Sequence, residues 1–255
     1  MAALITLLTD FGTSNSYAAQ IKGVMASITP DISVVDLTHA IPVQDVLHAA
    51  IVLDDAIDAF ANGTVHLAVV DPGVGGSRRA IAIQTDRFFF VGPDNGIFSA
   101  VLRREPLRRM VQLTNPRYHR PTVSATFHGR DLFAPVAAYL AGGASLGALG
   151  IDIAEPIQID LPEPRRHEGK VVGHVLLIDH FGNLITNLRS DHVAGAGAIM
   201  VSEASIQKIG RTFCDASPGE PIAYLGSTGR LEIAVCAGNA AEHFGVQIGA
   251  PVFVE

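Results

Sequence analysis

Five polar, glycine-rich segments interrupt the apolar runs of this chain, and each carries side chains able to do chemistry. They are Thr9-Asp10-Phe11-Gly12, Asp71-Pro72-Gly73-Val74-Gly75-Gly76-Ser77-Arg78-Arg79, Pro93-Asp94-Asn95-Gly96, Thr126-Phe127-His128-Gly129-Arg130-Asp131 and Asp179-His180-Phe181-Gly182-Asn183. Asp10 stands where an apolar strand ends and a helix is about to begin. A carboxylate there can accept hydrogen bonds from a ribose diol, or it can cap the turn into the helix. The 71–79 loop lacks the Gly-Lys-Ser/Thr of a phosphate loop and is not GxGxxG. Its glycines allow a tight path that returns Arg78 beside Asp71, either as an ion pair closing a turn or as part of a site. His128 precedes a helix expected to start near Gly129. Its imidazole can stay neutral or titrate near neutral pH, in a structural or a chemical role. Arg130 and Asp131 fit capping and salt-bridging of that helix start.

The segment at 179–183 reads either as a hairpin bulge or as a binding element. In the second reading Phe181 is a stacking plane, Asp179 faces a cation, and Asn183 donates and accepts hydrogen bonds. Pro93-Asp94-Asn95-Gly96 is a strong turn signal whatever else it does. The other histidines (His39, His48, His66, His119, His167, His174, His192 and His243) lack metal-ligand spacing among themselves, so no metal site is expected. Cys214 and Cys236 form neither a disulfide framework nor a zinc site and read as reduced, small apolar residues.

The elements that must position these groups follow from periodicity. Ala3–Leu8, Ile32–Leu37 and Val65–Val70 are strand-like. Asn15–Ile28 and Val46–Phe60 carry apolar residues at helical spacing, and Pro30 stops the first. Strand, helix, strand, helix, strand implies a largely parallel or mixed sheet covered by helices. Ala80–Gln84 and Phe88–Val91 read as a hairpin, and Ile97–Leu102 and Asp131–Leu140 as helices. Near residue 155 the texture changes. Glu155–Lys170 holds three prolines and a charged cluster. Beyond it come short β-like runs at 171–178, 184–188, 199–202, 222–225, 231–235 and 252–254, separated by turns. The expected plan is an α/β N-terminal domain over 1–160, a linker over 161–169 and a smaller all-β, barrel-like C-terminal domain over 170–255.

The bulk numbers agree with an ordered globular protein. Of the 255 residues 48% are hydrophobic and 17% charged, which argues against disorder. Lys plus Arg number 18 against 25 Asp plus Glu, for a net charge of -7 and no basic run, so nucleic acid is a poor partner. The apolar start lacks a basic leader and a cleavage pattern, and no stretch is long enough to span a bilayer. The expected compartment is the cytoplasm, with no membrane partner.

Taken in this order, the segments DPGVG…RR, TFHGRD and IDHFGN resemble those of the S-adenosyl-L-methionine (SAM) hydroxide adenosyltransferases, the adenosine-forming SAM hydrolases related to fluorinase and chlorinase. The similarity runs from Ile5 to Val254. It implies an α/β N-terminal domain joined to a small β-barrel, and a homotrimer with each active site between one subunit's N-terminal domain and its neighbour's C-terminal domain. It implies a water-handling trio of Asp71, Arg78 and His128, and ribose binding by Asp10. It assigns Asp179, Phe181, Asn183 and Ser227 to the methionine and adenine moieties, with Asn239 and Ala240 presenting backbone groups to adenine. Relatives often carry Asn-Ser and an aromatic where this chain has Gly226-Ser227 and Arg230. The halogenases carry tyrosine in place of the Asp71 and His128 groups, and the fluorinase has a serine where Gly129 stands. The Asp–Arg–His set therefore argues for water over halide.

The implied reaction is attack of water or hydroxide on C5′ of SAM, in line with the breaking C–S bond, from roughly 3–3.5 Å, releasing adenosine and L-methionine. SAM is then substrate, and no cofactor is expected. Arg78 would favour hydroxide and anchor Asp71, Asp71 would orient and polarise the water, and His128 could take or relay the proton. Three alternatives stand beside this reading: a SAM-dependent halogenase-like enzyme, a non-catalytic adenosine or SAM binder, and a calcium-dependent nucleoside hydrolase. The last needs clustered aspartates, and residues 10–17 supply only Asp10.

Overall fold

Apolar runs without polar alternation become central strands, because a sheet covered on both faces offers no wet side. The computed structural model, which describes residues 4–167, 169–207 and 209–255, builds its first sheet this way. Of the expected segments, Ala3 and Glu168 lie outside the described residues. The chain divides into two compact units, the first ending at Leu161 and the second beginning at Pro162.

In the first unit the order is β1 (Leu4–Thr9), α1 (Tyr17–Ile28), β2 (Ser33–Thr38), α2 (Val46–Ala56), β3 (Val65–Val69), β4 (Ala80–Gln84), β5 (Phe89–Pro93), α3 (Ser99–Leu102), β6 (Arg109–Gln112), α4 (Ala134–Ala141) and β7 (Ile151–Asp152). The sheet order is β2-β1-β3-β5-β4-β6-β7. β2, β1, β3 and β5 pair in parallel, while β4, β6 and β7 join antiparallel, so the sheet is mixed. The period of two sorts β1 between two cores. Ile5 and Leu7 pack with Ile21 and Met25 of α1 and Val136 and Leu140 of α4. Leu8 faces the opposite layer, with Leu53 of α2, Val101 of α3, Phe88 and Phe90.

Two differences from the sequence reading have simple causes. β6 and β7, for which the sequence reading named no element, are short strands whose charged ends hide any alternation; β6 lies between β4 and β7, and β7 is the edge. The helix expected over 131–140 begins as a π-helical turn, Gly129–Phe133, before α4.

The second unit holds β8 (Arg165–His167), β9 (Lys170–Ile178), β10 (Leu184–Arg189), α5 (Ser190–Val193), β11 (Ile199–Val201), β12 (Ala204–Ile206), β13 (Ile209–Gly210), β14 (Pro221–Leu225), β15 (Arg230–Val235), α6 (Ala240–Phe244) and β16 (Pro251–Val254). The strand order is β12-β11-β16-β9-β10-β15-β14-β13, with β8 pairing on β9. β9 changes partner along its length. Val171–His174 pair with β16, and Val175–Ile178 pair with β10. Such a strand turns the sheet through a corner and gives it a nearly closed, barrel-like form around Val175, Leu184, Leu231 and Val252. The stretch 161–169 is not all linker, because Arg165–His167 is a strand on β9. Its charged sequence conceals it, since all of its residues are exposed.

No helix among the described residues is long and apolar enough to cross a membrane.

His66 on β3 shows how tightly this first sheet is sealed. It is fully buried, stacks on Phe90 and meets Phe60 and Phe88 edge-on, and its Nδ1 lies 2.7 Å from the Thr6 hydroxyl. Burial, reinforced by Arg87, lowers its pKa from 6.5 to about 3. The unfolded chain therefore binds a proton below pH 6.5 that the native state refuses until about pH 3, and stability falls with pH across that window. We expect His66→Gln, which keeps an amide partner for Thr6, to remove up to about 1.4 kcal/mol per pH unit of that slope. Denaturant unfolding at pH 6 and pH 5 checks this, and parallel losses in both proteins would contradict it.

Candidate active site

Asp71 leaves β3 at its carboxyl end and Arg78 re-enters the sheet just before β4, so the loop between them must double back. It does so with Gly75 at φ +76°, where a Cβ would stand 2.3 Å from the Ala125 carbonyl oxygen. Only glycine tolerates both the angle and that approach. The contact places the 71–78 loop against the segment that carries His128.

The three side chains meet there. Arg78 Nε donates to both Asp71 oxygens at 3.0 Å, and Nη2 donates to Asp71 Oδ2 at 2.5 Å and to His128 Nδ1 at 2.7 Å. The Arg78 and Asp71 side chains are only 10% and 7% exposed. The guanidinium also lies over the Phe133 ring, 5.2 Å from its centroid. Nη1 has no hydrogen bond to any described residue.

The chemistry of the donors fixes the state of the imidazole. A guanidinium has no lone pair to offer, so His128 Nδ1 accepts and the proton of the neutral ring sits on Nε2. Burial first, and Arg78 second, hold the His128 pKa below 6.5, against Asp71 and Asp131, which raise it. The sequence expectation that His128 could take the proton meets an obstacle here. Neither ring nitrogen has a free lone pair unless the bond to Arg78 breaks.

Asp131 secures this arrangement from behind. It is fully buried and accepts from Arg130 Nε and Nη2, from Arg120 Nη1 and from the Ser124 N–H. The Arg130 bond leads in lowering its pKa to about 2. Asp131 and Arg130 form the salt bridge expected at the helix start, but no side chain caps that helix; the pair instead helps tie down the 120–128 loop. Phe127 packs edge-on against Phe11 and Tyr17, which links that loop to the one following Asp10.

Asp10 itself is part-exposed. Its Oδ2 accepts the Gln44 N–H at 2.9 Å, where Gln44 takes a strained φ of +64°, and Oδ1 has no partner among the described residues. A diol hydroxyl could take that oxygen. A cavity of about 580 Å³ lined by Gln20, His119, Arg130 and Tyr139, among others, contains none of Asp10, Asp71, Arg78 and His128.

In the second unit Asp179 organises a turn. Oδ1 accepts the N–H groups of Phe181 and Asn183, and Oδ2 accepts Asn183 Nδ2. Phe181 is left 73% exposed at the tip. Gly182, at φ +83°, has no room for a Cβ, which would stand 2.2 Å from the Asn239 side chain, and its carbonyl accepts the Ala241 N–H. The 179–183 turn and the start of α6 are therefore one structure. Asn239 spends its side chain capping α6 through the Glu242 N–H, Ala240 is buried, and Ser227 is exposed beside Gly226. Sequence reasoning passed over Phe133, whose pattern is that of a core residue, and Gln44, whose role uses only its backbone. Among the described residues no three His, Cys, Asp or Glu side chains are grouped as metal ligands.

Comparison with known proteins bears on both units. The family model for the SAM hydroxide adenosyltransferase N-terminal domain matches residues 5–150, and that for the C-terminal domain matches residues 173–253. The chain is 42% identical over 256 residues to the (R)-S-adenosyl-L-methionine hydrolase of Thermus thermophilus, covering 97% of this chain and 98% of that one. The fluorinase of an Actinoplanes species is more distant, at 26% over 288 residues, covering 98% and 97% of the two chains. A crystal structure of an uncharacterized conserved protein from Thermotoga maritima superposes with a TM-score of 0.93 at 33% identity, covering 98% of this chain and 99% of that one.

The tautomer can be checked directly. Nitrogen-15 NMR of labelled histidines is expected to report His128 as the Nε2–H form with a midpoint below 6.5, and Arg78→Met should raise that midpoint. An Nδ1–H form in the wild-type protein would contradict the geometry.

Proposed function

The chain belongs to the SAM hydroxide adenosyltransferase family, and from that membership we propose that it is an S-adenosyl-L-methionine hydrolase. Water attacks C5′, the C5′–S bond breaks, and its electron pair stays on sulfur. Adenosine, L-methionine and one proton result. Following the name of the Thermus relative, we extend the proposal to the R epimer at sulfur. The observation that carries the reading is the closed Asp71–Arg78–His128 constellation, joined by hydrogen bonds of 2.5–3.0 Å.

The roles follow from which atoms are already committed. Arg78 has used Nε and Nη2, so the Nη1 N–H groups are the ones left to hold the nucleophile's oxygen. His128 offers an Nε2–H donor and, by accepting from Arg78, fixes the guanidinium plane. Asp71 still has lone pairs on its oxygens to accept a hydrogen from the water. A weak base suffices there. Water need not be ionised first, because a water oxygen that has bonded to carbon is strongly acidic and gives up its proton late. The sulfonium loses its charge as the bond breaks, which a dry pocket favours. Asp10 takes the ribose diol. Phe181, Asn183, Ser227 and the backbone at Asn239 and Ala240 serve adenine and methionine, with Asp179 shaping the turn that holds them. No metal or cofactor enters this proposal, since Arg78 supplies the positive charge.

The halogenase reading is weaker, given the distance to the fluorinase and the charged pair where a halide would need a neutral, poorly hydrated pocket. A non-catalytic binder is tested by turnover itself. Purified protein with each SAM epimer should release adenosine and methionine at an unchanged rate in the presence of a chelator. Asp71→Ala and Arg78→Ala should each lower kcat by about 2–4 kcal/mol, while SAM binding by calorimetry changes little. Asp10→Ala should act mainly on KM. The rate should be flat above pH 6.5 and fall below it, as His128 protonates and repels Arg78. Wild-type turnover in Asp71→Ala with only affinity lost would sink the assignment.

We also propose a homotrimer in which a neighbour's second unit completes each site. The division of the assigned residues supports it, with Asp10, Asp71, Arg78 and His128 in the first unit and Asp179, Phe181, Asn183 and Ser227 in the second. Mixing the two inactive variants Asp71→Ala and Phe181→Ala, with subunit exchange, should restore activity in some sites. No restoration, or a fully active monomer in sedimentation, would count against it.

A further inference from the structure

The Asp71–Arg78 pair is carried on a glycine-rich loop, and such a loop cannot by itself hold two charges in register. The turn Pro93-Asp94-Asn95-Gly96, at the end of β5, grips both of its stems. Asn95 Nδ2 donates to the Val70 carbonyl at 2.8 Å, and Val70 is the residue before Asp71. Asp94 is 1% exposed, and its Oδ2 receives Arg79 Nε at 2.6 Å and Nη2 at 2.5 Å. Its N–H donates to the Arg79 carbonyl at 3.0 Å, and Arg79 is the residue after Arg78. Two adjacent side chains of one turn therefore fix the residues that flank the pair on either side.

A turn does not need this. Pro-Asp-Asn-Gly closes on local preference alone, and burying a carboxylate to do so costs free energy. Asp94 does take one further bond, from the Ile157 N–H to Oδ1 at 2.8 Å, which anchors the segment after β7. Asn95 Oδ1 accepts the Ile97 N–H at 3.2 Å, as an Asx turn would. The amide nitrogen of Asn95 has no such local role. It reaches from the end of β5 to the end of the neighbouring parallel strand β3, at the point where the chain leaves the sheet for the site.

From this we infer that Asp94 and Asn95 are positioning residues for the hydrolytic reaction, setting where Asp71 and Arg78 stand without touching substrate. The inference rests on the hydrolase reading above. Displacing a reacting group by an ångström costs up to about 100-fold in rate, so small shifts at Val70 and Arg79 are enough to matter.

The test uses Asn95→Asp, which keeps the shape and the Oδ1 acceptor but replaces the donor with an oxygen that repels the Val70 carbonyl. We expect kcat to fall roughly 10-fold with KM nearly unchanged. In an Asp71→Asn background, measured by single turnover, the same change should cost less than about twofold, because the group it positions is already disabled. Asn95→Ala, which removes the donor without adding charge, should behave alike and serves if the aspartate variant does not fold. The Arg78 Nε–H resonance in protein labelled with nitrogen-15 arginine should shift in either variant. That signal needs no turnover, so it separates failure of this inference from failure of the hydrolase reading. An unmoved Arg78 resonance, an unchanged kcat, or an equal loss in both backgrounds would overturn the assignment.

Discussion

A guanidinium and a carboxylate held together out of water are the constraint around which the first unit is arranged. Removing Asp71 and Arg78 from solvent to 7% and 10% exposure forfeits hydration that their mutual attraction does not reliably repay. The pair is tolerable because its donors and acceptors are matched: Nε and Nη2 against both oxygens of Asp71, Nη2 against an uncharged imidazole, and the guanidinium over the Phe133 ring. Each of these conditions places a demand on another part of the chain. His128 must be neutral, so it is partly buried and close to a positive charge. The loop must double back, so it contains Gly75 where the Ala125 carbonyl passes.

The supports form a ring of further ion pairs one step from the site. Asp131 gathers Arg120, Arg130 and the Ser124 N–H behind His128, and Asp94 gathers Arg79 beside Arg78. Both carboxylates are almost wholly buried while their arginines reach toward solvent. That division suits a scaffold: the fixed end is the acid, the long side chain spans the gap, and the charge is partly relieved by water. The π-helical turn directly after His128 belongs to the same logic. An extra residue in a turn re-aims the side chains that flank it, which an uninterrupted α-helix would not do.

Much of this was legible in the sequence, but unevenly. Long apolar runs such as 65–70 read as buried strands, and the three glycines between Asp71 and Arg78 showed that the loop could return one to the other. The two-unit plan showed in the shift to short runs after residue 170. What did not show depended on partners distant in the chain. Arg165–His167 reads as charged linker because its strand character comes only from pairing with β9. Asp179 read as a binding carboxylate by type and place, and nothing local revealed that its oxygens also accept from Phe181 and Asn183 of its own turn. Asn95 read as a turn residue because nothing local reveals that its amide reaches Val70, 25 positions back. The proton on His128 Nε2 likewise follows only from knowing that the neighbour of Nδ1 is an arginine.

The second unit carries its own preorganised surface, in which Gly182 locks the 179–183 turn to the start of α6 and leaves the Phe181 ring outward. As a member of its family the chain hydrolyses SAM, with water attacking one carbon, C5′. The most direct test of that account is to run the reaction in water enriched in oxygen-18 and weigh the products. The account requires one heavy oxygen in adenosine, at the 5′ position, and none in the methionine carboxylate or side chain. Unlabelled adenosine, or label appearing in homoserine beside methylthioadenosine, would show that water does not attack C5′ and would contradict it.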